Sequence, residues 1–139
     1  MSELAVQGCT FKISSTAGSI SAVSLATTTQ PSYKNFADNK GIFFDKLTVN
    51  ITTATITPST PIAGTTNQGI LSSGAIDING TADNILDTNN KKALQKGDKN
   101  TATLTFTFTT TSTPPSTVPV DLPVTVEIDN PGQTDVIAL

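Results

Sequence analysis

The chain has 139 residues, a formal net charge of −3, no histidine and a single cysteine. This length suits one domain, residues 1–139, whereas the acidic balance argues against a nucleic-acid partner and no apolar run reaches the ~20 residues of a membrane-spanning helix. Without histidine, Ser-His-Asp and Cys-His catalysis are impossible within the chain, and one cysteine cannot form an internal disulfide. We therefore expect no enzyme, and we assign no catalytic, cofactor-binding or metal-ligating residue.

The N-terminal stretch is expected to be strand-like and free of a leader. Its first fourteen residues show neither a basic n-region nor an apolar h-region, so no signal peptide is predicted. Cys9 lies between Gly8 and Thr10 and is interpreted as a buried structural thiol.

A strand is predicted over Ile42 to Ile51, with a change of phase inside it. Phe44 is assigned to the face of Thr48 and Phe43 to the face of Leu47, and a slip of the alternation is expected between them. A β-bulge near Asp45-Lys46 is the ordinary cause of such a slip.

Residues 82–94 contain a weak helical pattern, but the Asn-rich middle favours a hairpin or an extended turn at Asn89-Asn90. Several lysines follow, flanked by Asp87 and Asp98, and are interpreted as a solvated turn: Lys91, Lys92, Lys96 and Lys99. Residues 38–46 can be aligned with residues 89–97, which places Asn39 opposite Asn90. This is either an internal repeat or two unrelated hairpins that use common turn chemistry.

The clearest strands lie near the C-terminus. From Thr101 to Thr109 hydroxyl and apolar residues alternate strictly, which places Leu104, Phe106 and Phe108 on one face. Over residues 118–128 the apolar set is Val118, Val120, Leu122, Val124, Val126 and Ile128. Pro123 cannot donate a ladder hydrogen bond, so this strand should lie at an edge or be interrupted there.

Threonine occurs 26 times and serine 12 times, which suits half-exposed pleated strands. Turn-forming residues separate short runs at the spacing of a sandwich or barrel, and residues 57–66 and 109–117 are expected to be loops. The predicted fold class is all-β, a compact single domain of short antiparallel strands.

Two stretches resemble the PAAR and PAAR-like family. Residues 85–98 are similar to its recurring segment, in which a strand and an Asn-Gly-Lys turn lead to a strand that ends in Gly-Asp. Asn90 stands at the usual turn glycine and Lys92 at a frequent proline. The opening from Ala5 to Phe11 is similar to the start of the PAAR-like branch.

The resemblance implies a spike tip: a small β-rich cone that caps the trimeric β-helical spike of type VI secretion systems, contractile phage tails and related injection particles. The implied partner is that spike trimer, with contact to a target membrane at the apex. The implied location is assembly in the cytoplasm, then delivery outside the cell. Standard members bind zinc through three histidines and a cysteine, a site that this histidine-free chain cannot form.

Alternatives remain open for both fold and function. The fold is either a PAAR-like β-cone with added hairpins, since the Thr-rich segments exceed a minimal cone, or a small β-sandwich. The alternative function is another structural β-protein, such as a phage tail or decoration protein, an adhesin or a pilin-like subunit. A small ligand-binding or enzymatic β-domain is the third hypothesis.

Overall fold

A computed structural model describes residues 2–134 and 136–138, and these residues form strands, turns and loops without a helix. The described residues accordingly offer no helix that could span a bilayer. The strands are β1 (Ser2–Glu3), β2 (Thr10–Ser14), β3 (Gly18–Thr27), β4 (Phe36–Ala37), β5 (Lys40–Gly41), β6 (Lys46–Pro58), β7 (Thr65–Leu71), β8 (Gly74–Asn79), β9 (Ala82–Leu86), β10 (Lys92–Ala93), β11 (Lys99–Thr110), β12 (Thr117–Asn130) and β13 (Ile137–Ala138).

The main sheet curves into a nearly closed, barrel-like structure. Its strand order is β2-β12-β11-β7-β6-β3, and β8 pairs with β6 as well. β7 and β8 pair with β6 in one continuous register, from Ile56↔Gly69 to Lys46↔Asn79, interrupted at residues 72–73. Because β7 and β8 lie end to end along β6, the seven strands occupy six positions around the barrel. All of their pairings are antiparallel.

The alternation predicted for residues 101–128 is confirmed in β11 and β12. These strands pair from Lys99↔Glu127 to Thr109↔Thr117, the longest ladder in the sheet. Phe106 and Phe108 are completely buried in the barrel core, whereas the odd-numbered threonines of β11 face outward. Burial of the two phenyl rings is the largest apolar contribution that this strand pair makes to the core.

Pro123 lies where β12 lacks a second neighbour. β2 pairs with β12 only from Thr125 onward, so the chain next to Pro123 is unpaired on that flank. The carbonyl of Pro123 instead accepts a hydrogen bond from Ser15 Oγ at 2.5 Å. A proline is tolerated there because no ladder donor is required.

The predicted change of phase is wrong, because Phe43 and the odd-numbered residues Leu47, Val49 and Ile51 are all buried. Asp45 adopts a left-handed backbone with φ of 68°, and β6 starts at the next residue. Phe43 and Leu47 are both buried, on opposite sides of this turn. The interruption is thus a tight turn before the ladder and not a bulge within it.

The all-β class is confirmed, and the hairpin expected around Asn89-Asn90 is formed by β9 and β10. Loops replace the ladder at residues 59–64 and 111–116, as expected for the Pro-rich stretches. The strands are longer than expected, since β6, β11 and β12 have 13, 12 and 14 residues. Threonine extends these strands beyond their buried apolar residues because it is a good strand former on an exposed face.

Candidate docking surface

Three short apolar segments meet at one end of the barrel, and their backbones form a closed ring of hydrogen bonds. The Ala5 N–H donates to the Leu94 carbonyl (2.9 Å), the Leu94 N–H to the Phe43 carbonyl (2.9 Å), and the Phe43 N–H to the Ala5 carbonyl (3.1 Å). All three residues are buried. Each segment thus donates to one neighbour and accepts from the other, which is a cyclic, pseudo-threefold pattern.

The contacts around the ring repeat with the same sequence offsets. Each ring residue is preceded and followed by a residue in a β-bridge, and the bridges are Leu4↔Gln95, Val6↔Ile42 and Phe44↔Ala93. The residue two positions after each ring residue also donates its N–H to a carbonyl of the neighbouring segment: Gln7 to Gly41, Asp45 to Lys92, and Lys96 to Glu3. Nine pairings therefore obey one threefold rule.

Each segment turns through a left-handed residue into a barrel strand. Gly8 and Gly97 both have φ of 92° and lie three residues after their ring residues, whereas Asp45, with φ of 68°, lies two residues after Phe43. Glycine adopts this conformation without a steric penalty, and Asp tolerates it better than most residues. The three turns lead into β2, β6 and β11, so the pseudo-threefold relation extends into the barrel.

A two-stranded pair lies before each segment, and we call these three pairs the cap. They are β4–β5, β9–β10 and β1–β13. The first two are hairpins, while the third joins the N-terminal strand to the C-terminal one. A small cluster of buried apolar side chains packs between them: Leu4, Val6, Ala37, Ile42, Ala82 and Ala93.

One large apolar side chain is exposed at the equivalent position of every cap pair. Phe36 pairs with Gly41, Leu86 with Lys92, and Ile137 with Glu3, and each of these partners lies two residues before its ring residue. We call Phe36, Leu86 and Ile137 the cap triad. Their exposed fractions are 57%, 44% and 44%. The recurrence of an exposed apolar side chain at three equivalent positions makes the cap the candidate docking surface.

Charged side chains gather at the same end. Lys40 Nζ donates to the Gly132 carbonyl at 2.8 Å, and Lys92 Nζ lies 2.7 Å from Asp83 Oδ1. The lysines predicted to form a solvated turn are exposed or partly exposed there. Polar groups around apolar anchors are the usual composition of a protein–protein interface.

Two ionisable groups lie near the ring, and Cys9, which the sequence predicts to be buried, is only partly buried. Burial raises the pKa of the Cys9 thiol to about 11, so the thiolate needed for nucleophilic chemistry is disfavoured. Burial also raises the pKa of Asp98, whose Oδ2 accepts from the Gln95 N–H at 2.9 Å and whose Oδ1 accepts from Thr81 Oγ1. Asp98 thereby closes the turn that holds Gly97.

The suspected internal repeat is confirmed in its register. The offset of 51 residues that places Asn39 opposite Asn90 also places Phe43 opposite Leu94, and both asparagines are left-handed. The sequence reasoning missed the third copy at Ala5 because no hairpin precedes it in the chain. The signal available was the shared three-residue spacing from Ala5 to Gly8 and from Leu94 to Gly97.

No protein-family model matches the chain, and neither a curated protein nor a solved structure matches it.

Proposed function

We propose that this protein is a PAAR-like spike tip that sits on the end of a trimeric spike in a contractile injection particle. The observation that carries the proposal is the cap, in which one chain repeats the same backbone pattern and the same exposed apolar position three times. In this role the chain binds and supports, and it carries out no covalent chemistry.

Symmetry explains why such a cap suits a trimer. A single chain on the axis of a threefold assembly meets three identical surfaces, so it makes equivalent contacts only if its own surface is approximately threefold. The cap triad offers one apolar side chain to each subunit. Burial of such anchors inside a polar rim is the usual source of affinity in protein–protein interfaces.

The hydrogen-bonded ring provides the rigidity that zinc provides in standard members of the family. Standard members of the family hold their point with zinc, for which this chain has no histidines. Here the three segments are joined by backbone hydrogen bonds around buried Ala5, Phe43 and Leu94. Buried backbone groups that are fully paired give a rigid junction without a metal.

The opposite end of the barrel suits an apex. Three loops lie there, and the Ser59 N–H donates to the Ala17 carbonyl while the Thr111 N–H donates to the Gly64 carbonyl, both at 2.9 Å. Residues 47–76 and 100–120 contain no charged side chain. An uncharged surface has a low desolvation cost when it leaves water.

The test is binding to the spike trimer encoded with this chain. We expect a complex with one copy of this chain for each trimer, measured by native mass spectrometry and by light scattering. A complex with three copies per trimer would contradict the symmetry argument. A folded chain that binds no spike trimer would contradict the proposal and favour the other structural β-proteins.

Matched variants locate the surface. Phe36→Asp, Leu86→Asp and Ile137→Asp should each weaken trimer binding at least about tenfold, because each places a charge at one apolar anchor. Ile70→Asp is the control, since Ile70 is a similarly exposed residue (55%) on the barrel wall. Equal weakening by the Ile70 variant would show that the cap is not the contact.

A further inference from the structure

The barrel is open between β2 and β3, although these strands are consecutive. They meet at a single bridge, Ser15↔Gly18, and in the described part of the chain no ladder continues from it. The other two pairs of strands that follow the ring segments do form ladders: β11 pairs with β12 along eleven residues, and β6 pairs with β7 over Ala54 to Ile56. One of the three hairpin positions in the barrel is therefore a cleft.

Local geometry causes the two strands to separate. β3 is paired with β6, and the register of this pairing shifts twice between Ser21 and Leu25, where Ala22 has φ of 52°. On the other wall of the cleft, β2 is paired with β12 and has only five residues. Because each strand is held by a different neighbour, they diverge from the bridge toward the cap.

The cleft has no charged side chain in its lining, which is mainly apolar with two threonines, and its volume is about 480 Å³. Phe11, Ile13, Val23 and Leu25 line it, and they pack against the barrel core while staying partly exposed. Both of its walls are strand edges, which present backbone N–H and C=O groups without a ladder partner.

We propose that this cleft binds an extended, uncharged segment of another protein as an added β-strand. Strand edges on both walls require an occupant with backbone donors and acceptors on both sides, which a strand has and a compact ligand lacks. The five residues of β2 match a segment of about 17 Å. Since no charged side chain lines the cleft, a charged occupant would be desolvated without a partner.

A second copy of this chain is a poorer occupant. A donated strand must be free along both edges, whereas β6, β11 and β12 are each paired on both sides within the barrel. The proposal therefore concerns a strand from a different protein, and it does not depend on the spike-tip function.

The experiment uses the intact protein and a defined probe, a synthetic copy of residues 101–109 with blocked ends. This peptide is uncharged and alternates threonine with apolar residues. We expect it to slow amide hydrogen exchange in β2 and β3 about tenfold, with no change in the β11–β12 ladder. It should also slow alkylation of Cys9, which lines the cleft. The control is the same peptide with alternate backbone amides N-methylated, which should have no effect.

A matched pair of variants tests the location. Ala26→Lys places a charge on the exposed rim of the cleft and should weaken peptide binding about tenfold, whereas Ser19→Lys, on the same strand outside the cleft, should not. Absence of protection at saturating peptide would overturn the proposal, as would equal protection by the N-methylated peptide. Protection without peptide that grows with dimer formation would assign the cleft to a second copy and overturn it too.

Discussion

The two ends of the barrel are built by different means. At the far end, long alternating strands pack Phe106, Phe108 and their neighbours into one core, and the surface is threonine, serine and proline without charge. At the cap end, the strands have two to five residues, and left-handed turns with tertiary backbone hydrogen bonds hold them together. Periodic apolar burial thus builds the far end, whereas the cap combines a small apolar cluster with conformational fit at a few positions.

The largest effect should come from the far end. Phe106→Ala removes a completely buried ring and should lower the free energy of unfolding by about 3–5 kcal/mol, measured by denaturant titration. Thr107→Ser on the outward face is the control and should change it by less than about 0.5 kcal/mol. A loss below about 1 kcal/mol for Phe106→Ala would mean that the core does not determine stability at this end.

A smaller effect, shared by two sites, is expected at the cap end. Gly8→Ala and Gly97→Ala should each lower the free energy of unfolding by about 1–3 kcal/mol, because φ is 92° at both positions. A Cβ meets no atom within 4 Å at either site, so backbone strain is the only cost. Clearly unequal losses in thermal or denaturant unfolding would break the pseudo-threefold equivalence.

The smallest effect tests the two equivalent hairpin turns. Asn39→Gly and Asn90→Gly should each change the free energy of unfolding by less than about 1 kcal/mol, since glycine relieves the left-handed conformation but loses more entropy on folding. Ala22→Gly, a left-handed residue in β3, provides a comparison at the open side of the barrel. A loss above 2 kcal/mol at Asn90 would mean that its side chain has a role beyond the turn.

Sequence reasoning succeeded where period-two alternation dominates. The faces of β11 and β12 follow directly from where threonine and the apolar residues fall. The left-handed turn at Asp45 does not, because the alternation keeps its phase across it. The cap could be predicted only in part, because its pairs have few residues and no periodicity. The Asn39 and Asn90 turns correctly predicted that two of the cap pairs are equivalent. The third cap pair, β1 with β13, depends on a contact between distant parts of the chain. The exposure of the cap triad depends on that same contact.

The pairing of Glu3 with Ile137 has a consequence for how the protein is made. Two cap pairs can fold as local hairpins soon after they are synthesised, but the third joins residues that lie 134 positions apart in the sequence. A product that stops before Ile137 would present two apolar anchors instead of three. The cap therefore presents all three apolar anchors only after Glu3 and Ile137 have paired.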